Sequence, residues 1–225
     1  MGADVAAGTG GSRRLSDVAY TRILEMLFAR RLPAGAFVSQ NDLVKLLDIP
    51  VAPLRDALKI LETEGVLTIH PRSGIQFVKP GLELTRSTYQ FRSIIERAAV
   101  AVYAETAEDA ELAEIERRHL ALIAAIESDG LTDTGKSELE SLEQLLHNAI
   151  IGALNNPLIE TSYKRMHNYL RLVRLDRKLT APLAQRSLRE HMQIITACKA
   201  RDPAQAEAAL HAHFSAAMQR HMGLF

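Results

Sequence analysis

Apolar positions recur at three- and four-residue spacing along most of the chain, which predicts a mainly helical protein. Residues 15–31 form the first amphipathic stretch, with Val18, Ile23, Leu24, Leu27 and Phe28 on one face. Pro33-Ala34-Gly35 predicts a turn leading into Phe37-Val38. Ser39 is a good N-cap for a second helix with an apolar set at Leu43, Leu46 and Leu47. Asp48-Ile49-Pro50 ends that helix, because Pro50 lacks an N–H and forces its predecessor out of the α region. Pro53 then sits in the first turn of a third helix running to about Thr63, with Leu54, Ala57, Leu58 and Leu61 facing inward. Two short helices joined by a tight turn predict a helix-turn-helix. Extended runs at 66–69 and 75–78, separated by His-Pro-Arg-Ser-Gly, predict a β-hairpin with a basic tip, the wing of a winged helix.

Pro80-Gly81 punctuates the chain and predicts a domain boundary. Everything after it reads as helix. Residues 84–104 carry Phe91, Ile94, Ile95, Ala98 and Val102 as the expected inner face. Thr106-Ala107-Glu108-Asp109 has the spacing of a capping box and predicts a helix through about Ser128. Further helices are expected at 136–154, from Pro157 to about Lys178, at 182–201, and from Asp202-Pro203 to about Met222. The expected organisation is a disordered Gly-rich tail at 1–13, a winged helix-turn-helix at 14–79, and an antiparallel six-helix bundle at 80–225.

Composition changes this picture little. Two small domains fit in 225 residues, and 5% aromatics with no Trp suit a helical protein. Net charge is zero overall, but residues 1–80 hold ten Lys/Arg against eight Asp/Glu, and the remainder seventeen against nineteen. Local basic surface, not global charge, decides nucleic-acid affinity. A lone Cys198 excludes an intrachain disulfide framework and suits a reducing cytoplasm. No apolar run is long enough for a membrane span, and the N-terminus lacks the apolar core of a signal peptide.

Four polar residues of the bundle fall on apolar stripes. Glu143 and His147 are four apart and share a helix face. His191 lies in the stripe Ala184, Leu188, Ile195, Cys198, and His213 in the stripe Ala206, Leu210, Ala217. Three imidazoles and a carboxylate aimed at a bundle interior make a donor set for a transition metal. The competing reading of a single such His is a satisfied core residue, and His167, beside Tyr163, Met166 and Leu170, is read that way. His119, His211 and His221 are expected to be solvated.

Residues 20–79 resemble the DNA-binding domain of the GntR family of bacterial transcription regulators. The match includes Leu32-Pro33-Ala34-Gly35, Leu43, the run Pro53-Leu54-Arg55-Asp56-Ala57-Leu58, the run from Leu61 to Leu67, Arg72-Ser73-Gly74 and Phe77-Val78. The resemblance implies DNA contacts from Gln40, Asn41, Lys45, Pro53, Arg55, Lys59, His70, Arg72 and Gly74. The chain departs from the family at Pro50-Val51, where Ser or Thr followed by Arg is usual, at Asn41, where Arg is common, and at Asp48, where Gly is usual. A lost Arg removes a contact worth about 1–3 kcal/mol, which implies an altered sequence preference or reduced affinity. The alternative is a metal- or metabolite-binding protein of the same fold that has lost DNA binding.

Residues 82–222 resemble the FCD ligand-binding domain of the FadR subfamily, in the shorter VanR-like form. That domain carries Asp-x-x-x-His, then Glu-His, then a last His in a run like Ala-x-x-Ala-Leu-x-x-His. Here these stand as Glu143 to His147, Glu190-His191, and Ala206 to His213, with Glu143 in place of the usual Asp. Asn155-Asn156-Pro157-Leu158 and Arg201-Asp202 also fit. The resemblance implies one metal per subunit on Glu143, His147, His191 and His213, zinc first, with nickel or manganese as alternatives. Glu190 and Asn155 are candidates to orient the ligating imidazoles. Arg92 is expected either to clamp the carboxylate of a small organic acid or to pair with Glu96. Tyr89, Tyr163 and Tyr169 are candidates to line that pocket. The implied protein is a cytoplasmic homodimer on palindromic operator DNA, a repressor released by its effector. Hydrolysis by a metal-activated water is the enzymatic alternative, and no general base stands at a suitable spacing for it.

Overall fold

The computed structural model describes residues 14–32, 34–175 and 179–222. Expectations for the tail at 1–13, for Pro33 and for a helix end at Lys178 lie outside these residues. The chain divides into two compact units between Lys79 and Pro80.

The N-terminal unit runs α1 (Leu15–Phe28), β1 (Phe37–Val38), α2 (Gln40–Leu47), α3 (Val51–Thr63), β2 (Leu67–His70) and β3 (Gly74–Phe77). Helix α1 packs on α3 and covers Leu54, Ala57, Leu58 and Leu61 with Ala19, Ile23 and Leu27. Ser39 caps α2 as expected, accepting from Asp42 N–H at 3.1 Å. Asp48 ends α2 at φ 50°, a left-handed conformation that explains why glycine suits the position. Leu46 was expected inside and is 52% exposed; the short helix buries only Leu43 and Leu47. Phe37-Val38, expected only as a lead-in, pairs antiparallel with β3 and makes a three-stranded sheet of order β1-β3-β2. Gly74, at φ +112°, permits that pairing, because a Cβ there would meet the Val38 carbonyl oxygen at 2.9 Å.

The C-terminal unit is a bundle of α4 (Leu82–Thr106), α5 (Asp109–Asp129), α6 (Asp133–Gly152), α7 (Pro157–Arg174), α8 (Ala181–Lys199) and α9 (Pro203–Met222). Helix α4 packs along α9, and α9 along α8. Thr132 caps α6 through Gly135 N–H at 3.0 Å, Asn156 caps α7 through Leu158 N–H at 3.0 Å, and Asp202 caps α9 through Gln205 N–H at 2.9 Å. The capping box expected at Thr106 does not form. Helix α4 runs through Thr106, whose hydroxyl bonds back to the Val102 carbonyl at 2.8 Å, and Glu108 precedes α5 without a side-chain cap.

The inner face of α4 is only partly the expected one: Phe91 and Ile95 pack against the bundle core. Ile94 is 63% exposed and Ala98 is exposed, while Tyr89, Arg92, Glu96, Ala99, Val100 and Tyr103 are buried. A polar pair, Arg92 and Glu96, thus occupies the centre of the face turned to the bundle interior. Among the described residues no helix is long and apolar enough to cross a membrane.

Candidate functional site

Three helices each bring one imidazole to the same point inside the bundle. His147 on α6, His191 on α8 and His213 on α9 are buried, and one ligand atom from each lies within 4.8 Å of the others. The Nε2 atoms of all three are buried and have no hydrogen-bond partner. Their Nδ1 atoms are all engaged. His147 Nδ1 meets Glu96 at 2.5 Å, His213 Nδ1 meets Glu190 at 2.9 Å, and His191 Nδ1 meets His119 Nε2 at 3.1 Å. A buried nitrogen without a partner is costly. Three such atoms sharing one focus, each backed at the opposite ring nitrogen, suit a divalent metal.

The electrostatics favour the neutral ring at His147 and at His191. Burial pushes the His147 pKa down to about 4 despite Glu96, and it pushes His191 down as well. Neutral imidazole is the form that ligates. Burial opposes the charge on Glu96, but Arg92 and His147 hold its pKa at about 2. Glu190 is likewise held at about 2 against burial, by Arg220, which donates at 2.6 and 2.7 Å, and by His213.

Glu143 stands beside the triad. Its Oε1 is 3.4 Å from His191 Nε2 and accepts from Ser187 Oγ at 2.9 Å, and its Oε2 accepts from Arg174 at 2.6 Å. Its pKa is held well below the usual range against burial, chiefly by the Arg174 guanidinium.

Of the two expectations for Arg92, the structure forms the pairing with Glu96. Arg92 is wholly buried, and its Nε donates to Glu96 at 2.6 Å. Its two terminal nitrogens have no partner, and its guanidinium lies 4.6 Å from the Phe214 ring centre. Tyr163 donates to the same Glu96 oxygen at 2.9 Å, and the Tyr89 hydroxyl meets His221 Nδ1 at 3.0 Å. Tyr169 on α7 is half-buried.

Several expectations are corrected. His119 is fully buried rather than solvated, and His221 is part-buried against Tyr89. His211 is exposed, as expected. His167 is not satisfied: its Nε2 is buried without a partner, and burial together with Arg92 and Arg174 pushes its pKa down to about 4. Asn155 sits at φ 45° between α6 and α7, and the imidazole Nδ1 atoms are met by Glu96, His119 and Glu190 instead. Glu96 and His119 were missed as partners because they come from other helices, with no local spacing to announce them.

In the N-terminal unit, Asn41, Lys45, Arg55, Lys59 and Arg72 are exposed, and Gln40 and Pro53 are half-buried. His70 is tethered, its Nε2 3.1 Å from Gln76 Oε1 and its ring against Phe37. Pro50 precedes α3 without a side-chain cap, and Val51 is 41% exposed.

The architecture is that of a winged helix-turn-helix followed in the chain by a helical bundle with a buried polar focus. The family described as "Bacterial regulatory proteins, gntR family" matches residues 15–77, and "FCD domain" matches residues 87–216. The chain belongs to the GntR family of DNA-binding transcription regulators and carries an FCD domain; the family is one of regulators, not enzymes. It is 24% identical over 196 residues to the Bacillus subtilis protein described as "Uncharacterized HTH-type transcriptional regulator YdhC", covering 87% of this chain and 86% of that one. Among solved structures, E. coli McbR/YncC shares the fold at TM-score 0.74 and 19% identity, covering 95% of this chain and 99% of the other. The metal-free FCD domain of TM0439 shares it at TM-score 0.52 and 21% identity, over 63% of this chain and 94% of that one.

Proposed function

We propose that this regulator is metal-loaded and responds to a small organic acid. His147, His191 and His213 hold one zinc, nickel or manganese ion per subunit, with Glu143 as the neighbouring acidic donor. The observation that carries this reading is the set of three buried, unpartnered Nε2 atoms at one focus. When bound, the ion supplies a positive charge to which a carboxylate oxygen is drawn. Arg92 orients that acid: its Nε is committed to Glu96, which leaves the two terminal nitrogens as a fork for one carboxylate.

On the DNA side, Arg55 and Lys59 on α3, Gln40, Asn41 and Lys45 on α2, and Arg72 at the wing tip are the contacts, with Pro53, His70 and Gly74 shaping the surface. A homodimer offers two such surfaces to a palindromic operator. The acid favours the state with weaker operator affinity, so the regulator is a repressor relieved by its effector.

Fluorescence anisotropy tests the reading, using the metal-supplemented full chain and duplexes from its own upstream intergenic DNA. Saturable binding that falls when candidate acids are added is expected. In Arg92→Lys, which keeps a charge beside Glu96 but loses the fork, DNA binding survives and the response to acid weakens. Absence of binding to any upstream duplex favours the alternative, a sensor that has lost DNA recognition through Pro50 and Val51. An acid response unchanged in Arg92→Lys counts against the clamp.

A further inference from the structure

The three site imidazoles differ in what stands behind them. His147 and His213 rest on carboxylates, whereas His191 rests on the ring of His119, with centroids 5.3 Å apart. His119 belongs to α5 and is wholly buried, and its Nδ1 lies 2.7 Å from the Ile115 carbonyl oxygen one turn back in the same helix. A carbonyl oxygen only accepts, so the His119 proton is on Nδ1. In a neutral ring the other nitrogen then only accepts. His119 Nε2 therefore receives a hydrogen bond from His191 Nδ1–H across 3.1 Å. His191 is left with its lone pair on Nε2, an atom with no hydrogen bond that lies beside the other two imidazoles and 3.4 Å from Glu143 Oε1.

We infer that His119 is a positioning residue for the metal centre: a neutral imidazole that locks His191 in the Nδ1–H tautomer with its Nε2 lone pair facing His147 and His213. The inference rests on the metal reading above. The opposite arrangement sets two lone pairs, those of His119 Nδ1 and the Ile115 carbonyl, 2.7 Å apart in a dry interior. It would offer a His191 Nε2–H to Glu143 Oε1 at 3.4 Å, but only by taking away the lone pair that the metal reading needs there. A neutral support has a further consequence. Carboxylates back two of the three rings, and an uncharged group backs the third, so less of an ion's positive charge is offset locally and more remains for an acid.

The experiment uses the full chain with 15N-labelled histidine. Long-range 1H–15N correlation spectra of the metal-free protein are expected to show His119 and His191 both as Nδ1–H tautomers. A His119 ring carrying its proton on Nε2 overturns the inference. Zinc affinity is then compared by chelator competition for wild type, His119→Leu, which removes the acceptor, and His119→Gln, whose amide oxygen restores one at the same reach. Affinity is expected to fall about ten- to hundredfold in His119→Leu, as for other groups that orient a ligand from behind, and to return largely in His119→Gln. Equal affinity in wild type and His119→Leu also overturns it. If His119→Leu does not fold, the wild-type tautomers decide the question. A wild-type chain that takes up no zinc sinks the metal reading instead, and the same spectra still decide whether His119 sets the His191 tautomer.

Discussion

Within the described residues, the winged-helix unit and the bundle bury opposite kinds of side chain. The interior of the first is apolar throughout, built from Ile23, Leu27, Leu43, Leu54, Leu58, Leu61, Ile75 and Phe77. The second encloses Arg92, Glu96, His119, Glu143, His147, Ser187, His191 and His213 beside its apolar core. An apolar interior needs only volume and close packing. A polar one is stable only where each group finds a partner. The bundle provides those partners for its carboxylates and for the Nδ1 atoms of the triad, and leaves the triad Nε2 atoms and the Arg92 terminal nitrogens unmatched. His167 Nε2, Arg174 Nε and Arg220 Nε are unmatched as well, so the bundle keeps its unsatisfied groups inside, at the proposed ligand site and around it, while the first unit carries its chemistry outside, on Arg55, Lys59 and Arg72.

Substitutions that exchange the two regimes test this contrast. The largest effect is expected for Glu96→Gln, which leaves Arg92 buried beside a neutral amide. Breaking a buried pair on one side costs about 3–5 kcal/mol, measured by chemical denaturation of the metal-free chain. A loss under about 1 kcal/mol would mean that water reaches this pair. Leu58→Ala in the apolar unit should cost about 2–5 kcal/mol through the cavity it leaves, with zinc affinity unchanged. Coupling between that variant and zinc would erase the division of labour. Arg55→Ala should weaken operator binding by about 1–3 kcal/mol without shifting the unfolding midpoint. The smallest effect is expected at Ile94, on the outer face of α4, where Ile94→Ser should stay within about 0.5 kcal/mol. A large loss there would show that the outer face of α4 is covered in solution.

The same contrast explains what was legible in the sequence. The stripe Leu54, Ala57, Leu58, Leu61 identified the inner face of α3 because burial there follows hydrophobicity. On α4 the rule held only in part: of Phe91, Ile94, Ile95, Ala98 and Val102, Phe91 and Ile95 pack on the core, Ile94 and Ala98 are exposed, and Arg92 and Glu96 are buried instead. A helix that lines a polar focus turns charges inward, so hydrophobic phase locates its inner face only in part. His147, His191 and His213 each interrupt an apolar stripe, but so does His167; the three were singled out because they fall on the histidine positions that the FCD resemblance implies. Of their supports Glu190, which meets His213 at 2.9 Å, was named and the other two were not, since Glu96 is 51 residues from His147, and His119 is 72 from His191. The pairing of Glu143 with Arg174 and Ser187 joins three helices and leaves no local pattern either.

The central claim is that three unpartnered imidazole nitrogens hold an ion. Elemental analysis with native mass spectrometry of the purified full chain tests it most directly. The account predicts one equivalent of zinc, nickel or manganese per subunit in the wild type, and its loss in a folded variant with His147 and His191 both replaced by Ala. A wild-type chain that stays metal-free after dialysis against these ions, or a variant that keeps the full equivalent, contradicts it.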